Sequence, residues 1–297
     1  MRMNGLNGII VKGIGGFYYV EAGGMVYECK PRGLFRKKKI TPYVGDHVVI
    51  TVDEDGTGTI EEIQPRKNFL IRPPIANIDQ LFLIVSVCEP SPSPLIIDKT
   101  IAAAEEMDIE PLIVISKTDL QDCDWLIEIY KTTGIPVITM SSVTGEGVEE
   151  VTRRLQGKIS AFTGNSGVGK TSLLNQIDGR FQLQTGEISQ KLGRGRHTTR
   201  QVDLLKLSEE TYVADTPGFS CISMERCDLI NKERLPFCFR EFIPYLNQCK
   251  FTTCSHTCEK GCAVLQALEE GVISKSRHES YCAMYQEVKD LKEWNLK

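Results

Sequence analysis

Gly164-Asn165-Ser166-Gly167-Val168-Gly169-Lys170-Thr171 fits the pattern G-x-x-x-x-G-K-[ST]. The apolar run Ile159–Thr163 before it reads as a strand, and Lys170–Ile177 reads as the start of a helix. That context decides the fold. Strand, glycine-rich turn and helix make a phosphate cradle inside an α/β domain. Glycines let successive backbone N–H groups turn inward around phosphate oxygens, and the helix N-terminus adds a favourable dipole. Lys170 is placed to reach the β- and γ-phosphates, and the Thr171 hydroxyl to ligate Mg²⁺. Gly164 through Ser172 are therefore the candidate phosphate-binding residues. Asp215-Thr216-Pro217-Gly218 follows the apolar run Tyr212–Ala214. An Asp at a strand end and then a glycine free to approach the γ-phosphate suit a magnesium and phosphate sensor.

A phosphate loop does not choose between ATP and GTP, so the base is argued separately. Guanine offers N1–H and an exocyclic amine, and one carboxylate accepts both; adenine cannot supply that pair. Ser116-Lys117-Thr118-Asp119 ends the apolar run Leu112–Ser116, a suitable place for such a carboxylate. It resembles the Asn-Lys-x-Asp element of the translation-factor class of GTPases. Asp119 would read the base, with the Lys117 stem lying over it; the plain alternative is a polar turn after a strand. Ser141-Ser142-Val143-Thr144-Gly145-Glu146-Gly147 resembles the Ser-Ala-x-x-Gly element, whose backbone receives the guanine oxygen. In ordinary GTPases both base elements follow the phosphate loop. Here both precede it, and no second Asn-Lys-x-Asp candidate follows Asp215. That order is a circular permutation, which requires only that the old ends lie close together.

Working outward, the chain has 297 residues, enough for two or three domains, with 41% hydrophobic and 25% charged residues. No apolar run is long enough for a membrane-spanning helix, and the start does not read as a signal peptide, so the expected location is cytoplasmic, with no membrane partner. A net charge of −4 restricts nucleic-acid contact to local patches. Residues 1–66 hold short β-like runs (Gly8–Lys12, Phe17–Val20, Met25–Cys29, His47–Val52, Thr57–Ile63) between glycine-rich turns, which suggests a small antiparallel barrel. Residues 67–221 alternate strands and helices. The runs Leu81–Val87 and Leu112–Ser116 suit strands buried on both faces of a parallel sheet. Residues 222–297 carry a cysteine cluster and then the helical stretches Ala263–Glu270 and Lys275–Trp294.

Eleven cysteines, an odd number, argue against a complete disulfide framework in this compartment. Cys249, Cys254, His256 and Cys262 offer three thiolates and an imidazole within fourteen residues, as a closed structural zinc site requires. Cys258 is an extra thiol in the same loop and leaves the ligand set open; disulfides or a redox cluster are the alternatives. Lys30, Arg32, Arg36, Lys37, Lys38 and Lys39 place six cations in ten residues with no acid among them. With Tyr18, Tyr27 and Phe35 as stacking candidates, that run suits single-stranded nucleic acid. A solvated loop is the plainer reading.

The permuted order and its flanks resemble the ribosome small subunit-dependent GTPase A family, over nearly the whole chain. The matching features are the N-terminal barrel, Arg72-Pro73 and Ala76–Gln80 leading into the first buried strand, Gly195-Arg196-His197-Thr198-Thr199, and the C-terminal cysteine array. The resemblance implies a multidomain architecture: an N-terminal OB-fold barrel, a central circularly permuted α/β P-loop GTPase domain and a mostly α zinc-binding module. It implies hydrolysis of GTP to GDP and phosphate, with Mg²⁺ and one structural Zn²⁺, in a monomer. It also implies late maturation of the small ribosomal subunit, whose rRNA would be met by the barrel, the basic switch loop and the C-terminal module. Where the family has Asn, this chain has Ser116. The Asn tethers the base site to the phosphate loop, so a shorter serine bears on nucleotide affinity more than on guanine selectivity.

Ser189–Arg200 is basic and without acids, and by the resemblance is the first switch, with Thr198 or Thr199, the second preferred, closing on Mg²⁺. Phe219 and Ser220 stand where Ras-like proteins carry the Gln that orients water, so another group must do so. His197 is the local candidate, and in the family that histidine is the proposed water-positioning residue. A loop histidine contacting phosphate or RNA is the alternative role. Two further function classes remain: a nucleotide-sensing RNA-binding protein with negligible turnover, and an ATP-using P-loop enzyme.

Overall fold

In the computed structural model, residues 3–70, 74–179, 202–215 and 230–290 are described, without the side chains of residues 3, 4, 36 and 215. The strands are β1 (Met3–Ile14), β2 (Phe17–Ala22), β3 (Met25–Pro31), β4 (His47–Val52), β5 (Gly58–Ile63), β6 (Phe69–Leu70), β7 (Ile75–Ala76), β8 (Gln80–Ser86), β9 (Glu110–Ser116), β10 (Val137–Met140), β11 (Ile159–Thr163), β12 (Asp203–Ser208) and β13 (Thr211–Asp215). The helices are α1 (Gly33–Lys37), α2 (Pro94–Glu106), α3 (Asp124–Tyr130), α4 (Val148–Leu155), α5 (Lys170–Ile177), α6 (Ala263–Glu269) and α7 (Lys275–Val288). Two compact units result. One gathers Met1–Leu81, Thr152–Phe162 and the described part of Arg180–Phe219; the other gathers Phe82–Val151, Thr163–Gly179 and the described part of Ser220–Lys297.

In the first unit, β1 to β5 close into a five-stranded barrel. β1 pairs antiparallel with β2 and with β4, β2 with β3, β4 with β5, and β3 runs parallel to β5. The period-two alternation sends Val20, Cys29, Val48, Ile50 and Ile60 inward, all fully buried. This is the small barrel that the spacing of short strands suggests, closed by a parallel β3–β5 pair where an all-antiparallel barrel is expected; its OB-like form is what the family resemblance implies. The hairpin β12–β13 joins the same unit, with Lys12 of β1 opposite Asp203 and salt-bridged to it at 2.5 Å. The basic run is not a simple loop: α1 forms one turn within it, and its no-acid character in sequence is lost in space. Arg32 is paired with Glu61 of β5 at 2.7 Å.

In the second unit, β9 lies between β8 and β10, parallel to β10. Each described residue of β8 is buried, and so is β9 after Glu110, as the continuous apolar runs predict. α2 covers this sheet with Ile97, Ile101, Ala102, Ala103 and Ala104. The C-terminal segment packs on the outer side of α2 through α7 and two 3-10 turns, Leu235–Cys238 and Arg240–Tyr245. Phe239, Phe242 and Tyr281 form its core, with ring centroids 4.9–5.3 Å apart. α7 ends at Val288 among the described residues, short of the Trp294 limit drawn from the helical pattern.

The helical pattern of α7 hides its most consequential residue. Arg277 is fully buried. Its guanidinium bonds Glu241 at 2.7 and 3.2 Å and Asp98 of α2 at 2.7 Å, and lies over the Phe239 ring. Tyr130 of α3 donates to the same Asp98 carboxylate at 2.9 Å. Arg240 adds a more exposed clamp on Glu105 and Glu110. Burial pushes the Asp98 carboxyl up, and Arg277, Ser280 and Tyr130 pull it down. The C-terminal segment is thus held to the nucleotide-binding layer by buried ions as well as by apolar packing.

Candidate functional site

β11 delivers the phosphate loop. Gly164 sits at φ 145°, and a Cβ there would lie 2.3 Å from the Ile84 carbonyl oxygen, so only glycine fits beside β8. Gly169 caps α5 in the left-handed region, and Lys170 begins the helix. The Lys170 ammonium curls back onto the loop, donating to the carbonyls of Gly164 at 2.6 Å and Asn165 at 2.7 Å. Burial lowers its pKa. A partly desolvated cation over inward-turned backbone is what an incoming phosphate needs. Thr171 and Ser172 are half-buried in the first turn of α5.

The base elements meet this loop directly. Ser116, at the end of β9 and 1% exposed, donates from Oγ to the Val168 carbonyl at 2.6 Å, with Val85 O at 3.2 Å. The serine therefore still bridges base element and phosphate loop, because the buried Val168 carbonyl lies within a hydroxyl's reach. Lys117 has φ 62°, and its ammonium donates to the Glu89 carbonyl. The exposed Asp119 carboxylate is held at one oxygen by the Ser141 hydroxyl at 2.6 Å. Ser141, fully buried, also accepts the N–H groups of Val143 and Thr144 at 3.1 and 3.2 Å. Gly147 closes the loop at φ 77°, where a Cβ would meet the Thr139 carbonyl at 2.0 Å. One contact was not foreseen: Gln176 of α5 donates from Nε2 to the Ser142 carbonyl at 2.7 Å. No spacing rule points to it, since it lies in an otherwise ordinary helical turn.

Asp215 is described only as the last residue of β13, without its side chain. His197, Thr199 and Gly218 lie outside the described residues, as do Arg72, Pro73, Phe219, Ser220, Cys221 and Cys227. Among the barrel cations, Lys37, Lys38 and Lys39 are exposed, the side chain of Arg36 is outside the described set, and Lys30 stacks over Phe17 at 4.7 Å. Tyr18, Tyr27 and Phe35 are half-buried.

Cys249, Cys254, His256 and Cys262 converge, their donor atoms all within 4.8 Å of one another. His256 Nδ1 lies 3.5 Å from both Cys249 and Cys262 Sγ. Burial lowers the imidazole pKa and keeps it neutral, and burial pushes the Cys254 and Cys262 thiols up. Three sulfurs and one imidazole nitrogen this close together match the donor set of a closed tetrahedral metal site, which would hold the cysteines as thiolates when occupied. Cys258 is exposed and outside the cluster, which narrows the ligand choice left open by the sequence. The knuckle is built by its neighbours. Glu259 accepts the N–H groups of Ser255, Thr257 and Cys258; burial alone would raise its carboxyl, but these bonds bring it to about 2. Tyr281 and His278 of α7 bind the carbonyls of Ser255 and His256, both at 2.8 Å. The scattered thiols Cys29, Cys123 and Cys238 are buried, and Cys88 and Cys282 half-buried.

The profile of the family described as RsgA GTPase matches residues 63–225, and that of the RsgA N-terminal domain matches residues 7–60. The small ribosomal subunit biogenesis GTPase RsgA of Caldanaerobacter subterraneus subsp. tengcongensis is 45% identical over 291 residues, covering 97% of each chain. The chain belongs to the RsgA GTPase family. RsgA of Alkaliphilus metalliredigens is 46% identical over 287 residues, 95% of this chain and 97% of its own. The crystal structure of YjeQ from Thermotoga maritima matches with a TM-score of 0.83 at 39% identity, covering 98% of this chain and all of that one. YloQ, described as a circularly permuted GTPase, matches at 0.80 and 36% identity, with 97% and 96% covered. As an RsgA GTPase, this chain is a GTP hydrolase with a circularly permuted nucleotide-binding fold. Among the described residues, no helix is long and apolar enough to cross a membrane.

Proposed function

We propose that this RsgA-family chain hydrolyses GTP as a checkpoint in late maturation of the small ribosomal subunit, and that the subunit accelerates the hydrolysis. The observation that carries the nucleotide half is the convergence of Ser116, Asp119, Ser141 and Val168, which joins base readout to the phosphate loop. Asp119 accepts guanine N1–H and the exocyclic amine; Gly164–Ser172 enclose the phosphates, with Lys170 exchanging its loop carbonyls for phosphate oxygens. Mg²⁺, when bound, would neutralise phosphate charge, and Thr171, Thr199 and Asp215 are the residues that would hold it. Gly218 senses the γ-phosphate, and His197 orients the attacking water. The relatives' printed names support the subunit as partner. Arg32, Arg36, Lys37, Lys38 and Lys39 are the assigned rRNA contacts; the ion pair of Arg32 with Glu61 makes Lys37–Lys39 the stronger part of that set. Cys249, Cys254, His256 and Cys262 hold one structural Zn²⁺. By function the chain divides at residues 66 and 221, and it acts as a cytoplasmic monomer.

GTP turnover measured with and without purified small subunits, alongside His197→Ala, tests this. Stimulation that vanishes in the variant supports both partner and residue. Stimulation that survives removes His197 from the chemistry. No stimulation with tight GTP binding favours the nucleotide-sensing RNA-binding reading.

A further inference from the structure

Within the loop Ser141–Gly147, the backbone donors are almost all spent. Val143 and Thr144 donate to Ser141 Oγ, Gly145 to the Ser141 carbonyl at 2.9 Å, and Glu146 to Thr144 Oγ1 at 3.3 Å. Across Ser141–Gly147 two N–H groups have no partner among the described residues, those of Gly147 and Ser142, and the Ser142 N–H is the one adjoining Ser141. It belongs to the loop that fixes Asp119, so it is the donor available to an acceptor on the same base. The Ser142 N–H shares a peptide plane with the Ser141 carbonyl, which accepts the Gly145 N–H; the Ser142 carbonyl, two torsions away on the next plane, is anchored by the Gln176 amide at 2.7 Å, so residue 142 is held from both sides, and Gln176 rides on the helix that begins with Lys170 and Thr171.

The geometry points to Gln176 as a positioning residue for base recognition: by holding the Ser142 carbonyl it aims the Ser142 N–H at the 6-oxo group of the purine. This rests on the reading of the site as a guanine-nucleotide site. A backbone donor on a free loop must be ordered when the base arrives, and that entropy is lost from affinity. Gln176 orders it beforehand, and ties the 6-oxo readout to the same helix that bears the phosphate-binding residues. Ser116 performs the matching tie for the Asp119 side of the base. Purine discrimination and phosphate binding are therefore set by one rigid frame, despite the permuted order of the chain.

The test uses the full chain and three nucleotides: GDP, 6-thio-GDP and ADP, titrated calorimetrically in Mg²⁺. The thio analogue keeps N1–H and the 2-amino group for Asp119 but replaces the 6-oxo acceptor with a poor one. Gln176→Ala is expected to weaken GDP about tenfold, one hydrogen bond's worth, and 6-thio-GDP by less than about threefold. Gln176→Glu, which keeps the length but sets a carboxylate against the carbonyl, is expected to follow the alanine variant. Gln176 is exposed, so both variants keep the fold, which the melting temperature checks. Equal loss for both guanine nucleotides, or no loss for either, overturns the proposal. Wild-type protein that binds ADP as tightly as GDP overturns the guanine reading itself, a result separate from either of those.

Discussion

Replacing Arg277 by Met removes the one cation from a buried cluster that otherwise holds Asp98, Glu241 and the Tyr130 hydroxyl. Three charge-assisted bonds are lost. Summed at about 1.5–3 kcal/mol each they would give roughly 5–9 kcal/mol. That overstates the cost, because the buried Asp98 carboxyl, left without its cation, escapes part of it by taking up a proton. The measured range for breaking a buried pair, about 3–5 kcal/mol, is the better guide. It is a large share of a domain stability of about 5–15 kcal/mol. The two compact units need not unfold together, so amide exchange of α2 and α7 is the fitting assay. Exchange there is expected to accelerate by roughly two to four orders of magnitude, following the cost above. The pH dependence carries the finer check. Burial already raises the Asp98 carboxyl, and the variant loses the downward pull of Arg277. A carboxyl whose folded-state pKa lies above its unfolded value stabilises the fold where it is protonated, and that contribution is lost as pH rises. The deficit, corrected for intrinsic exchange, is therefore larger at pH 8 than at pH 5. A deficit below about 1 kcal/mol, the size of a surface ion pair, or one independent of pH, refutes the reasoning.

Ser116→Ala deletes the bond to the Val168 carbonyl and leaves a buried acceptor unpaired; GDP affinity is expected to fall about tenfold while the preference over ADP persists, as titration of both nucleotides reads out. Asp119→Asn exchanges one acceptor for a donor, so GDP binding drops and xanthosine diphosphate, with an acceptor at position 2, binds better than GDP; equal affinities for the two would remove Asp119 from base recognition. Metal analysis is expected to find one zinc per chain, lost in Cys254→Ser and retained in Cys258→Ser, because only the first thiol lies in the cluster. Chelation should also loosen the start of α7, whose Tyr281 and His278 grip the knuckle backbone; unchanged exchange there would break that link.

Much of the site was legible because its signals are local. The phosphate loop needs its glycines, lysine and threonine at fixed offsets between one strand and one helix. The base elements each follow a buried strand, and the clustered cysteines and histidine fall within fourteen residues. Short β-like runs between glycine-rich turns likewise marked the barrel strands, and unbroken apolar runs marked β8 and β9. What spacing could not supply was pairing across the chain. Gln176 meets Ser142 from 34 positions away, and Arg277 meets Asp98 from 179. A lysine-rich run read as free of acids gains Glu61 only when β5 comes alongside.

The sequence by itself determined the chemistry: which residues can surround phosphate, accept from guanine and donate to zinc, and in what permuted order they occur. Tertiary structure decided which of these groups touch. It brought a serine close enough to replace the longer tether expected at its position, left Cys258 outside the Cys/His cluster, and turned an arginine in a helical stretch into a buried latch. The physical reason is that side-chain type is written locally, whereas distance and burial arise only when strands and helices remote in the chain exclude water together.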